Sequence, residues 1–415
     1  MGADLMTVGT DRLRIVVLGY IVRWPLGGAW HHLQYVLGLH ELGHDVVFVE
    51  DSGPWPEGFD PDADVVGPDC SYGIRFAERA FDSVGLGGRW AYFDEPSNQW
   101  SGPLSAVIDS VLSTCDVMID LSGVNPLRPW MERVPVRVLV DTDPGFTQLR
   151  NIREGARRAD YHHTAFFTFG ELIGQPQCRI PDDGLPWQPT RQPVVLHAWR
   201  VTPPPARRRF TTIMMWDSYE PIAYEGHTYG MKSASFPPYL AVPGRVGVSL
   251  ELAVGGPSAP REELRSAGWV VTNPVEITKS LESFRAYVEG STGEFSLAKH
   301  GYVEGRTGWF SERTACYLAS GRPAIVQDTG FTQVLPADTG LVGFSTPDEA
   351  VTALATVLDR YEEHCTAARD IATSEFDSGS VLTKLLSDAM VERHPAALAT
   401  AASFDDATGA FDAAR

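Results

Sequence analysis

GWFSERTACYLASGRPAIVQDTGF, residues 308–331, is the stretch whose reading decides the fold. It opens as a loop, and its spacing then predicts a helix from about Ser311 to Ser320. Gly321-Arg322-Pro323 makes a turn. Ala324 to Gln327 is a short apolar run that reads as a buried strand, and it ends at Asp328-Thr329-Gly330. The same alternation extends outward on both sides. Strands are expected at Phe210 to Trp216, Val246 to Leu252, Gly268 to Thr272, Gly293 to Leu297 and Leu341 to Phe344, with helices between them. The last strong helix is expected from about Pro347 to Phe376, bent or broken in places.

A second alternation precedes this one. Arg14 to Tyr20 is a β-branched run ending near a glycine, and a turn with Pro25, Gly27 and Gly28 follows. Leu33, Val36, Leu37 and Leu39 give the next stretch, about Ala29 to Leu42, a helical apolar face. Gly43 stops that helix and Asp45 to Glu50 is the next strand, which completes a βαβ-sized module. Further strands are expected at Asp116 to Leu121, Val136 to Val140 and Ala165 to Phe169. Ser52 to Trp100, rich in Gly, Pro and Asp, reads as an insertion with a short helix near Ile74 to Phe81. The Pro-Arg stretch Thr202 to Arg209 separates the two alternations. The expected architecture is α/β, with two Rossmann-like doubly wound domains at 13–202 and 203–394 facing across a cleft. Residues 1–12 are expected to be a disordered N-terminus and 395–415 a flexible tail.

Composition sets bounds on function. The chain has 415 residues, enough for two domains, and 43% of them are apolar, which supports a substantial core. A formal net charge of -19 argues against nucleic acid and anionic membranes as partners. It leaves a locally positive nucleotide pocket open. No apolar run approaches the roughly 18 residues that a spanning helix needs. Met1 to Arg12 lacks the basic-then-apolar pattern of an export signal, so a cytoplasmic location is expected. Cysteines at 70, 115, 178, 316 and 365 show no C-x-x-C spacing, so neither a disulfide framework nor a zinc site is expected.

The 308–331 stretch resembles the donor-binding module of GT-B glycosyltransferases, and most of all a group of bacterial glycosyltransferases related to spore-coat maturation proteins. Gly293-Glu-Phe-Ser-Leu-Ala-Lys-His-Gly-Tyr302 stands where that group has its donor loop. The resemblance covers residues 293–346 best and extends to 14–51. It implies transfer of a sugar from a nucleoside diphosphate sugar, bound mainly by the second domain, to an acceptor bound by the first. No cofactor and no metal are implied. A bacterial natural product or surface glycan is the implied acceptor. Many retaining members carry two glutamates flanking the helix. Gly308 and Cys316 stand at those positions here, so the ribose contact passes to Glu312, and retention or inversion stays open.

Candidate site residues follow from chemistry as well as from that resemblance. The helix start at Ser311 offers free N–H groups and a positive dipole end to a diphosphate, with hydroxyls from Ser311 and Thr314. Arg313, Lys299 and Lys232 are candidate phosphate cations, and Trp309 is a candidate stacking surface for the base. Gly308, His300, Trp216 and the Asp328-Thr329-Gly330 loop are expected to line the donor cleft. Gly27 and Gly28 would let backbone approach the phosphates, and His32 or His31 would serve as a base or touch the sugar. Asp141 and Asp143 would orient that histidine. Their D-x-D spacing also admits a metal reading, which lacks further ligands nearby.

Three other readings compete. One is a nucleotide-sugar epimerase or another enzyme of the same fold. Another is a NAD-dependent oxidoreductase, whose G-x-G-x-x-G fingerprint is missing after the first strand. The third is a two-lobed ligand-binding protein, which would normally carry an export signal.

Overall fold

The computed structural model describes residues 12–55, 57–155 and 162–391. The disordered N-terminus expected at 1–12, Arg12 apart, and the tail expected at 395–415 lie outside the described residues. Two parallel sheets organise the chain. Apolar strands that can be buried on both faces form their centres, which is why they read as continuous apolar runs. Strand Arg14–Leu18 lies inside an eight-stranded sheet. On one side of it stand Asp45–Asp51, Trp90–Asp94 and Gln99–Ser101. On the other stand Val117–Leu121, Val136–Asp141, Ala165–Thr168 and Trp187–Pro189. Only the edge pairing of Gln99–Ser101 is antiparallel.

Strand Arg209–Met215 holds the same place in the second sheet, whose six strands are all parallel. Ser249–Gly255 and Val270–Thr272 lie on one side, and Gly293–Ser296, Ala324–Gln327 and Leu341–Phe344 on the other. Each sheet therefore reverses direction beside its first strand. In open α/β sheets, ligands bind outside the carboxyl ends of the strands at such a reversal.

Several expected elements are corrected. The strand expected at Val246 to Leu252 runs instead from Ser249 to Gly255, in register with Arg209 to Met215. Val246 and Val248 pack at the edge of the core beneath it. The insertion is more structured than its composition promises. It holds the helix Ser71–Ser83, the two outer strands of the first sheet and a hairpin of Gly58–Asp60 with Val65–Gly67. The long final helix is two helices, Pro347–Asp359 and Tyr361–Glu375, and a third follows at Ser378–Val391.

That third helix returns to the first half. The Val194 N–H donates to the Phe376 carbonyl at 2.7 Å, and the Ser378 N–H to the Val194 carbonyl at 3.0 Å. Leu382 and Ser378 press on Gly38 of helix Trp30–Glu41 so closely that a Cβ there would lie 2.7 Å from Leu382. The boundary drawn at 202/203 thus assigns residues 378–391 to the wrong sheet.

The Gly321-Arg322-Pro323 turn has a structural reason of its own. Arg322 is 1% exposed and has no carboxylate partner among the described residues. Its guanidinium donates to the carbonyls of Thr202 (3.1 Å), Pro203 (3.0 Å) and Glu289 (2.7 Å) and to the Thr202 hydroxyl (2.6 Å). It anchors the crossover segment to the second sheet. Arg322→Met would leave these acceptors buried without donors. We expect a loss of about 2–4 kcal/mol of stability, read from urea unfolding, since several acceptors lose their partner at once.

Candidate active site

The carboxyl ends of both sheets open into one cleft of ≈ 1940 Å³. Its walls come from the loop after Arg14–Leu18, the turn after Val136–Asp141, the ends of three strands of the second sheet and the start of helix Glu312–Ala319. Among the sequence-derived candidates, Gly27, Gly28, His31, Asp141, Lys232, Lys299, Trp309, Ser311, Glu312 and Arg313 line it. So do Tyr219 and Tyr302, which belong to stretches expected near the donor, and Tyr20, which sequence reasoning missed.

The helix start forms as its sequence suggests. Ser311 caps it, accepting from the Arg313 N–H at 3.3 Å, and Glu312 stands on its first turn facing the cleft. Two of the three expected phosphate cations are engaged elsewhere. Arg313 pairs with the fully buried Glu294 at 2.6 Å and donates to the Ile213 carbonyl (2.7 Å) and the Ser296 hydroxyl (2.9 Å). It therefore splints the helix to the strands behind it. Lys299 donates to Asp143 at 2.8 Å and to the Tyr219 hydroxyl at 2.9 Å.

Lys232 differs. It is 8% exposed and faces the cleft, and its ammonium makes no ion pair or hydrogen bond among the described residues. Burial, reinforced by the neighbouring charges of Arg313 and Lys299, brings its ammonium down to about 7.

Asp143 ties the halves together. Its carboxylate accepts from Lys299, from Tyr302 (2.5 Å), from Tyr219 and from Arg150 (3.0 Å). Three of these donors belong to the second half. Asp141 is turned inward, accepting from Thr147 (2.7 Å), Gln148 (3.1 Å), Thr168 (2.9 Å) and the Asp143 N–H (3.0 Å). Its expected catalytic role is corrected, because its oxygens are occupied in shaping the turn. Among the described residues no group of three or more His, Cys, Asp or Glu side chains is placed to hold a metal.

The two histidines separate. His32 is 1% exposed and sits beneath Gly19, against Tyr20 and Phe48. Its Nε2 accepts from the Tyr20 N–H at 3.4 Å, and burial holds its pKa well below the ordinary value. It is a packing residue, which corrects its assignment as the base. His31 faces the cleft, and its buried Nε2 has no partner among the described residues. Burial lowers its pKa and the Glu312 carboxylate opposes that, so its ring is neutral at pH 7 and able to accept a proton.

The two glycines also differ. Gly27 packs on Phe284 of the second half, where a Cβ would come within 2.5 Å, whereas Gly28 faces open space. Beside them the N–H groups of Ile21, Val22 and Arg23 form an anion-binding nest. Glu50 fills it, at 2.6, 2.7 and 2.9 Å, and also pairs with the Arg23 guanidinium. The first half therefore satisfies its own anion site.

Seven expected donor contacts lie outside the cleft lining. Trp216 packs on Phe236 at 5.0 Å. His300 accepts from the Gly230 N–H at 3.4 Å. Thr314 is buried in its helix. The Gly308 N–H donates to the Thr329 carbonyl at 2.9 Å, and the Thr329 hydroxyl donates to the Trp309 carbonyl. Asp328 accepts from the Gly330 N–H at 2.9 Å. These contacts make the Asp328-Thr329-Gly330 loop a brace for the 307–309 loop. Trp309 itself stacks on Tyr302 with centroids 4.3 Å apart.

No protein-family model and no curated protein sequence matches the chain. Solved structures do. One is an alpha-glucosyltransferase in complex with UDP-glucose and DNA containing an abasic site (11% identity, 92% of this chain and 100% of that chain, TM-score 0.55). Another is a glycosyltransferase involved in avilamycin A biosynthesis (13% identity, 92% and 98%, TM-score 0.51). A third is Anabaena HepE in complex with UDP and glucose (10% identity, 91% and 100%, TM-score 0.50). The chain has the GT-B fold that these glycosyltransferases share.

The comparison corrects the exclusion of nucleic acid, because structures of the alpha-glucosyltransferase, which has this fold, contain DNA. Net charge sums the whole surface, whereas a polyanion meets one local face. No helix among the described residues is long and apolar enough to cross a membrane.

The Asp143 tether predicts an acid signature. Burial pushes this carboxyl up, but the Lys299 charge and the hydrogen bonds from Lys299, Tyr219 and Tyr302 outweigh it and hold it below 3.8. Its stabilisation is complete above that value and is lost as pH falls through the lower folded one. Asp143→Asn should cost about 1.5–3 kcal/mol at pH 6, the range for hydrogen bonds to a charged group. In urea unfolding the gap to the native chain should close below pH 3.8. A gap independent of pH would contradict the tether.

Proposed function

We propose that this chain is a metal-independent glycosyltransferase that moves a sugar from a nucleoside diphosphate sugar to an acceptor. The observation that carries this is Lys232. Every other lysine or arginine lining the cleft is paired with a carboxylate or spent on backbone carbonyls, among the described residues. A buried ammonium without a counter-ion is costly, and a diphosphate removes that cost. The start of helix Glu312–Ala319 adds N–H donors and a positive dipole end at the same cleft.

In this reading residues 203–377 hold the donor. The nucleoside lies over the ends of strands Ser249–Gly255 and Val270–Thr272, with its diphosphate at Lys232 and Ser311. Lys232 stabilises the charge that grows on the leaving diphosphate. Residues 13–202 hold the acceptor, and His31 stands between the two. As a base it would take the acceptor's proton in a single inverting displacement, while as a sugar contact it is compatible with retention. A bacterial natural product or surface glycan as acceptor, and kinship with the spore-coat group, belong to the same reading.

Two outcomes test it. UDP, TDP or GDP should bind equally well with and without EDTA. Above pH 7 binding should take up protons, because a bound diphosphate raises the depressed Lys232 and recharges it. Calorimetry at pH 8 in buffers of different ionisation enthalpy measures that uptake, and Lys232→Met should abolish it together with most of the affinity. Unaltered nucleotide affinity in Lys232→Met would exclude this site. His31→Ala should lower turnover about 10²–10⁴-fold if His31 is the base, leaving diphosphate affinity unchanged. His32→Ala should instead cost stability, because it empties a packed position.

A further inference from the structure

The first half contributes one stretch of cleft wall that sugar transfer by itself does not explain. Trp24 is 46% exposed and packs on Phe59 with ring centroids 5.3 Å apart. The Phe59 N–H donates to the Arg23 carbonyl at 2.9 Å, so the 58–67 hairpin is fastened to the loop that carries Trp24. Both rings line the cleft, and Asp64, at the turn of the hairpin, lines it with them.

Asp64 is exposed and makes no hydrogen bond or ion pair among the described residues. Its φ of 53° lies in the left-handed region, which Asp tolerates better than most residues. Several of the charges around it are otherwise engaged. Asp60 accepts from the Asp62 and Ala63 N–H groups, and Asp69 from the Ser71 N–H. Arg23 is held by Glu50, and Lys279 by Glu276. Arg75, Arg79, Asp60 and Asp62 all lie near Tyr72. Residues 52–69 contain five carboxylates and no Lys, Arg or His.

We propose that this wall binds the acceptor, and that the acceptor is an amine with a flat apolar body. The body would lie on Trp24 and Phe59, and the ammonium would meet Asp64. Aromatic faces attract cations, and the carboxylate adds the opposite charge at the edge of the same surface. An anionic acceptor would be repelled there. The inference rests on the sugar-transfer reading and names the substrate class for it.

Three indoles serve as probes: tryptamine, the uncharged tryptophol and the anionic indole-3-acetate. Binding is measured by calorimetry on the full chain with UDP present, and UDP is titrated separately. Tryptamine should bind tightest, about five-fold tighter than tryptophol, as one exposed ion pair allows. Asp64→Asn, whose side chain also tolerates the left-handed backbone, should erase that preference. Trp24→Ala should weaken tryptamine about ten-fold while UDP affinity stays as in the native chain. Equal binding of tryptamine and tryptophol would overturn the proposal. So would a Trp24→Ala variant that loses UDP and not tryptamine, which would assign the rings to the nucleoside. If the native chain binds tryptamine selectively but no nucleoside diphosphate, the donor reading fails and the ammonium site stands. The reverse pattern removes the ammonium site and keeps the donor reading.

Discussion

One carboxylate fixes the geometry on which the cleft depends. Asp143 lies in the turn after strand Val136–Asp141 and accepts hydrogen bonds from Tyr219, Lys299 and Tyr302, which follow strands of the second sheet. Two sheets whose carboxyl ends face each other expose dipoles and loops to the same space, and nothing in either sheet sets their separation. Asp143 sets it at one point. The packing of Gly27 on Phe284 and the bond from the Trp30 indole to the Leu281 carbonyl (3.1 Å) set it at another. Lys299 is drawn into this network as an interdomain residue, which leaves Lys232, among the described residues, as the unpaired cation that faces the cleft.

The division of labour between the halves is electrostatic. The first half presents backbone N–H groups in the loop after its first strand and the second half at a helix start, and both are therefore suited to anions. In the first half Glu50 occupies the nest permanently. In the second, the helix start at Ser311 faces the cleft beside an unpaired ammonium. A chain with a net charge of -19 thus presents at this cleft, among the described residues, a cation without an ion pair. The same Glu50 explains why a dinucleotide reading does not suit the first half, since the pyrophosphate of such a ligand would need the nest it fills.

Much of this was legible in the sequence because strand burial and glycine turns leave local marks. Arg14–Leu18, Ala324–Gln327 and Leu341–Phe344 stand out as apolar runs whatever surrounds them. The hairpin at 58–67 and the edge strand Gln99–Ser101 did not, since strands of three residues carry no period to read. The helix Ser378–Val391 is periodic, but its packing against the first half is a long-range fact with no local signature. Among site residues the chemical types were readable and the pairings were not. Arg313 and Lys299 were reasonable phosphate cations by type. Only the fold shows Glu294 behind one and Asp143 beside the other.

His31 and His32 illustrate the limit most closely. They are adjacent, of one residue type and at one helix start, so sequence offers no ground to choose between them. Successive helical residues point about 100° apart, so one ring must turn toward the sheet if the other turns toward the cleft. Gly19 decides which. Its missing side chain leaves room that the His32 ring occupies, and a Cβ there would come within 2.6 Å of His32 Nδ1. The glycine that follows the first strand is therefore the residue that buries one histidine and, through the helical period, presents the other to the cleft. A reading of GYIVRWPLGGAWHH that treats Gly19 only as a turn residue misses this, because its role is to hold the ring of His32, thirteen positions further along the chain.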